Sequence, residues 1–336
     1  MNKSKFKAEF TLKQHTPIIH FQSGQNGATL RATELKPKFD RFLLHNVEDI
    51  PFIKNANGHK SLDYKVTIAI NGQGVKGTPN NFLYFANNSA QGDEFKYTIK
   101  SQSVIVTFFS YRTDLIESIN RYFNDFLLIT NFGSRSTKGY GSFGKSIENA
   151  ETVLRKYYPI VFKITNVGDI SKWEVKVDTI HKKLKSGINF IQYHKSLLFQ
   201  YMCTQNIRWE KRNIKEKFSV LATGKPPIDC DTRGQYRYIR AMLGTAGINE
   251  YDRGNKTVTI DGGEIERFAS PIIYKIIGNS IYLLGDKSYE KIMGKPFIFQ
   301  YKQSSFTINT PSKSEFDLHK FLKFVEKNDN IISEVK

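Results

Sequence analysis

The chain has 336 residues and a formal net charge of +18, with 50 Lys and Arg against 32 Asp and Glu. That length carries two ordinary domains, and a folded chain this basic is built to meet an acidic partner, most often nucleic acid, unless the charge only reflects a lysine-rich, AT-biased genome. The sequence has no apolar run of membrane-spanning length and no apolar core of a secretory signal, and Cys203 and Cys230 have neither metal-ligand spacing nor the makings of a disulfide framework, so a cytoplasmic protein without metal or cofactor is expected.

In chain order, residues 5–13 alternate Phe6, Ala8, Phe10 and Leu12 with polar residues, which predicts a half-buried strand ending at Thr16-Pro17. A polar loop over 22–28 follows. Thr33 can then cap a helix whose apolar stripe is Leu35, Phe39, Phe42 and Leu43, with Pro37 near enough to its start to be tolerated. Residues 64–70 alternate as a strand, 72–81 form a turn-rich insertion, 82–85 and 97–99 are short strand candidates, and 102–110 is a stronger one. Residues 112–130 repeat Leu115, Ile119, Phe123 and Phe126/Leu127 at helical spacing. The segment 131–144, NFGSRSTKGYGSFG, is a glycine-rich loop running into a short strand over 142–147. Residues 1–152 thus have the β-α-β-β-α-β order of a ferredoxin-like domain.

Residues 153–336 begin with a strand over 158–165, followed by helices over 169–186, 190–205 and 236–243. A basic linker over 215–234 contains Gly224, Pro226 and Pro227. A short strand is expected at 257–260. Then come a hairpin over 266–284 turning at Gly278-Asn279, strands within 296–308 and an amphipathic helix over 314–327. The fold class is therefore α+β, with a second, elaborated ferredoxin-like domain carrying extra helices.

The glycine loop contains the spacing Gly139-x-Gly141-x-x-Gly144. A dinucleotide fingerprint must follow a strand and open a helix, whereas here a helix precedes and a strand follows. Lys138 precedes Gly139 and Tyr140 follows it, so the loop is not a P-loop either. What remains are glycines that allow positive φ and close backbone approach, charge from Arg135 and Lys138, and a stacking face from Tyr140. Such a loop suits a polyanion lying across it; the plainer alternative is a tight surface turn.

Three segments together resemble a known family. Gly133-Ser-Arg-Ser-Thr-Lys-Gly139-Tyr-Gly141 resembles the G-x-R-x-x-x-G-[FY]-G loop of the RAMP superfamily, the ferredoxin-fold RNA-binding proteins of CRISPR systems. Thr16-Pro17 with Leu30-Arg31-Ala32-Thr33 is similar to that superfamily's N-terminal signature. Arg267-Phe-Ala-Ser270-Pro271 resembles an R-x-x-S-P element of the two-domain RAMP subunit of the type III-B (Cmr) effector. The chain departs from the pattern where residues 18–22 replace glycine after Thr-Pro, and where the second domain lacks a clear glycine loop.

The resemblance implies a non-catalytic RNA-binding subunit for antiviral defence. Its partners would be guide RNA (crRNA) near its 3′ end, target single-stranded RNA and the other effector subunits. The amides of Gly133, Gly139 and Gly141 would approach the sugar-phosphate backbone, Arg135 and Lys138 would neutralise phosphates, and Tyr140 would stack on a base. Arg31 would add a bidentate phosphate contact at the opening of the first helix, whose polar side carries Lys36, Lys38 and Arg41. In the second domain Arg237 and Arg240, interleaved with Tyr236 and Tyr238, suit single-stranded RNA, unless they are one ordinary charged helix face. Arg267, Ser270 and Pro271 read as shaping the start of a strand. The rival reading is a metal-independent RAMP endoribonuclease that processes repeat RNA, with His15, His20 and His45 as acid–base candidates, although His45 also suits a helix C-terminus. A generic RNA-binding protein of ferredoxin-like fold is the third.

Overall fold

The computed structural model describes residues 5–19, 28–54, 58–71, 74–77, 98–189, 193–218, 234–245, 249–253, 256–265 and 267–336. They form two compact units. The first holds the described residues up to Tyr158 together with Ile273–Leu283; the second holds Pro159–Ile272 and Leu284–Lys336.

The first unit runs β1 (Lys7–Gln14), β2 (Ile18–Ile19), α1 (Ala32–Asn46), β3 (Ile53–Lys54), β4 (Lys60–Ser61), β5 (Lys65–Asn71), β6 (Val75–Gly77), β7 (Thr98–Lys100), β8 (Ser103–Phe109), α2 (Thr113–Ile129), β9 (Phe143–Gly144) and α3 (Ala150–Tyr157). Its main sheet has the order β5-β8-β1-β9 with every neighbouring pair antiparallel. In sequence α1 lies between β1 and β5, and α2 between β8 and β9. Strands β2, β7 and β6 form a smaller sheet, and β3 pairs with β4.

The period-two alternation of β1 buries Ala8, Phe10 and Leu12 and leaves Lys7, Glu9, Thr11 and Lys13 exposed. The helices close over the buried face. Phe39 and Phe42 of α1 and Phe123 and Phe126 of α2 meet Phe10 and Phe108 of the sheet. Ring centroids lie 4.8 Å apart for Phe10–Phe123 and Phe39–Phe126, and 4.9 Å apart for Phe108–Phe123. Such tilted and edge-to-face pairs add about 0.5–1.5 kcal/mol each beyond burial. Helix α1 starts earlier than Thr33 suggested. Arg31, with extended backbone at φ −101° and ψ 137°, occupies the N-cap, and Pro37 falls inside the helix on its exposed side.

In the second unit Ile160–Ile164 pairs antiparallel with Ile332–Glu334. Asn249–Arg253, Lys256–Asp261, Pro296–Tyr301 and Ser304–Asn309 form an antiparallel sheet in that order, which does not repeat the strand order of the first unit. Four α-helices, Trp173–Lys185, Leu197–Thr204, Glu210–Lys217 and Leu318–Asp329, are described. Two expectations are corrected here. The helix expected over 190–205 begins only at Leu197, with Ser196 accepting from the Phe199 amide as its cap. The helix expected over 236–243 is instead a two-residue strand, Tyr236–Arg237, parallel to Arg208–Trp209, followed by a 3-10 turn over Ile239–Leu243. Ile239, Ala241, Met242 and Leu243 are all buried, so the segment has no solvent face for an amphipathic helix to present. Cys203 is disulfide-bonded, which spacing alone did not suggest; Cys230, the chain's other cysteine, lies outside the described residues. So do His20, the strand candidate at 82–85 and most of the basic linker. No helix among the described residues is long and apolar enough to cross a membrane.

Candidate nucleic-acid interface

Residues 131–144 are held from behind by two segments distant in sequence. The Thr16 hydroxyl donates to the Gly139 carbonyl at 2.6 Å and accepts from the Ser142 amide at 2.9 Å. The Gly141 amide donates to the Pro17 carbonyl at 2.8 Å, and the Ser134 amide to the Ile19 carbonyl at 2.7 Å. From α1, Glu34 Oε1 accepts from the Gly133 amide at 2.8 Å and from Lys38 Nζ at 2.8 Å, and Lys38 Nζ also donates to the Asn131 carbonyl at 3.0 Å. The Thr-Pro segment, the opening of α1 and the glycine loop are therefore one structural unit.

The hairpin of residues 273–283 completes it. Asn131 Nδ2 donates to the Tyr274 carbonyl at 2.9 Å, and Ser142 Oγ to the Ile276 carbonyl at 2.6 Å. Just before that hairpin, Ser270 Oγ accepts from the Ile272 amide at 3.2 Å and the Pro271 carbonyl from the Asp286 amide at 3.3 Å. These residues shape the start of the strand, in keeping with the sequence reading.

This bracing corrects the roles expected of the glycines and of Tyr140. The Gly133, Gly139 and Gly141 amides donate to Glu34, to the Ser136 carbonyl and to the Pro17 carbonyl, so in this conformation they are engaged within the chain. All three glycines have positive φ (77°, 95° and 69°), and a Cβ at Gly133 would come within 2.5 Å of the Ile19 carbonyl oxygen. The glycines thus serve the close packing of the loop on the segment behind it. Tyr140 is fully buried and offers no ring face to a base. Arg135, itself left-handed at φ 57°, precedes the 3-10 turn Ser136–Lys138, and Lys138 is its last residue; both remain half-exposed, with Lys138 Nζ 5.9 Å from the centre of the Tyr274 ring.

The remaining candidates separate. Arg31 is half-buried at the N-cap of α1, and Arg41 is exposed, with no ion pair or hydrogen bond among the described residues. Lys36 is drawn inward: its ammonium lies 3.0 Å from Asp40, 2.7 Å from the Leu62 carbonyl and 3.8 Å over the Tyr64 ring. Arg237 lies 3.0 Å from Glu315 and donates to Gln235 at 2.7 Å. Arg240 is 12% exposed and 2.6 Å from Glu210, which is fully buried. Neutralised within the chain, Lys36, Arg237 and Arg240 are poor phosphate ligands, and the reason is tertiary pairing that sequence spacing does not show.

A buried lysine supports the loop. Lys275 is fully buried and donates from Nζ to the carbonyls of Leu127 at 2.8 Å and Thr130 at 2.7 Å, at the C-terminal end of α2. Burial pushes its pKa well below the ordinary lysine value, while the carbonyls and the negative end of the helix favour its charged form. His15 accepts at Nδ1 from the Gly278 amide at 3.4 Å. Burial, followed by the charges of Lys275, Lys13 and Lys100, lowers its pKa from 6.5 to about 4. It is therefore neutral near pH 7 in the folded chain.

Since the unfolded chain binds that proton first, the stability owed to neutral His15 is present above pH 6.5 and lost as pH falls toward 4. The urea midpoint of the wild type is expected to hold between pH 8 and 7 and to drop between 6.5 and 5, with the drop flattened in His15→Gln. An equal drop in that variant would remove His15 as the cause.

The family model described as the Cmr1 N-terminal domain matches residues 5–188, and the one described as the Cmr1 C-terminal domain matches residues 193–336. Among solved structures, the apo crystal structure of Cmr1 from Pyrococcus furiosus is 12% identical, with 98% of each chain covered and a TM-score of 0.45. A chain of the cryo-EM structure of the type III-B Cmr-beta bound to cognate target RNA is also 12% identical, with a TM-score of 0.29. That match covers 42% of this chain and only 58% of the neighbour's length. No curated protein sequence matches.

Proposed function

The chain belongs to the Cmr1 family, and from that premise we propose that it is a non-catalytic subunit of a type III-B effector complex whose first unit binds RNA. The observation that carries the RNA reading is the braced loop: Arg135 and Lys138 stay half-exposed on a turn whose own amides and glycines are engaged behind it. Two cations on a rigid turn suit successive phosphates of guide or target RNA. The strand order β5-β8-β1-β9, with one helix on each side of the β5–β8 pair in sequence, supports a ferredoxin-like reading of this unit. The depressed pKa of His15 argues against its serving as a general acid near neutrality.

The test is binding of labelled guide RNA and repeat RNA in EDTA across a range of salt concentrations. Arg135→Ala with Lys138→Ala is expected to weaken binding of every sequence and to reduce the salt slope by roughly two units. An unchanged slope would take the loop out of the interface. Specific cleavage of the repeat would replace the binding subunit by a metal-independent nuclease and make His15, His20 and His45 the first residues to substitute.

A further inference from the structure

At the C-terminal end of β8 three aromatic rings stand exposed, and Phe109 among them lies on the face of the sheet turned away from the helices. Phe6 is 42%, Phe109 37% and Tyr111 83% exposed. The Tyr111 ring lies 5.1 Å from that of Phe109 and 6.4 Å from that of Phe6. The alternation that buries Phe108 turns Phe109 outward, in a row between Lys7 of β1 and Lys65 of β5. Buried Ser110 fixes the spot: its amide donates to the Phe6 carbonyl at 3.0 Å, its hydroxyl donates to the Asp63 carbonyl at 2.6 Å and accepts from the Arg112 amide at 3.1 Å. A clustered, rigidly held set of exposed rings is unusual on a solvated surface and marks a contact site.

Lys65 also belongs to a groove of about 1210 Å³ between α1, β4 and the start of β5. Arg41, His45, His59 and Lys60 line it as well. Its one carboxylate, Asp40, is already held by Lys36, Ser61 and the Leu62 amide, so the charge left to the groove is positive. The start of the edge strand β5 therefore joins a cationic groove on one side to an aromatic platform on the other.

We infer that this continuous surface is a second binding site for single-stranded RNA. Bases stack on Tyr111 and Phe109, and phosphates meet Lys65, Lys60 and Arg41. The inference rests on the RNA-binding reading but not on the glycine loop. Exposed π-faces beside spaced cations are what sequence-tolerant single-strand binding requires. An acidic peptide of a sister subunit would match the charge but would leave the rings' faces without stacking partners.

The test is fluorescence anisotropy of the full-length protein with labelled oligouridylate and oligoadenylate in EDTA. Tyr111→Ala is expected to weaken binding roughly tenfold with the salt slope unchanged, and Tyr111→Phe to bind as the wild type does. Lys60→Ala with Lys65→Ala is expected to lower the slope by about two units. Tyr111 is so exposed that folding is not at risk, and circular dichroism would verify this. If Tyr111→Ala binds RNA like the wild type, the inference is overturned while the loop reading stands on its own double variant. If that variant binds RNA normally but no longer joins the other effector subunits, the surface is a protein dock and the inference also falls. Absence of RNA binding by the unsubstituted protein overturns both readings.

Discussion

Gly141→Ala is expected to destabilise the first unit by more than about 3 kcal/mol, far beyond an ordinary surface substitution. Two causes add. The backbone at Gly141 is left-handed, φ +69°, which costs an L-residue roughly 1–2 kcal/mol. A Cβ there would also overlap the Phe132 carbonyl oxygen and approach the Phe132 carbonyl carbon to 2.7 Å and amide nitrogen to 2.9 Å. These are backbone atoms, held in place by the bond from the Phe132 amide to the Gly141 carbonyl at 2.9 Å, so no side chain can swing aside. Gly168→Ala is the control: its φ is also +68°, but a Cβ there meets nothing within 4 Å. Urea unfolding would separate the two. A Gly141→Ala loss no larger than that of Gly168→Ala would mean that the loop shifts readily and is not the rigid turn described here. The variant should also lose RNA affinity, because Arg135 and Lys138 ride on the same turn.

Thr16→Val is expected to cost about 2–6 kcal/mol. The shapes match, but the hydroxyl does not survive. Thr16 is fully buried and its oxygen serves both the Gly139 carbonyl and the Ser142 amide. Valine removes the donor to one and the acceptor for the other where water does not reach, and each stranded group costs about 1–3 kcal/mol. Thr16→Ser keeps the hydroxyl and should recover most of the stability. Equal losses for valine and serine would point to the methyl group and packing, and would sink the hydrogen-bond account. Amide exchange at Ser142 offers a local reading: protection there should fall in the valine variant before global unfolding sets in.

Much of the first unit was legible because its signals are local. The alternation of β1 and the 3.6-residue spacing of α2 each report a face that must be buried, and both elements form where their patterns place them. The resemblance carried by Gly133–Gly141, Thr16-Pro17 and Arg267–Pro271 led to the family that the comparisons show. The hairpin turn at Gly278 was readable for the same local reason, a glycine with positive φ between two apolar runs.

What the loop does with its atoms was decided elsewhere. Thr16 and Gly139 are 123 positions apart, and Asn131 and Tyr274 are 143 apart. No spacing rule connects such pairs, so the glycine amides looked available for phosphate and are in fact engaged within the chain. Tyr140 looked like a stacking face and is buried. Arg237 and Arg240 looked like a basic, aromatic helix, but Glu315 and Glu210, 78 and 30 residues away, neutralise them. Sequence periodicity thus determined which faces turn inward, and the motif resemblance pointed to the family that the comparisons show. Only tertiary structure decided that Lys36, Arg237 and Arg240 are paired within the chain, because a donor's availability depends on every acceptor the fold brings within about 3 Å of it.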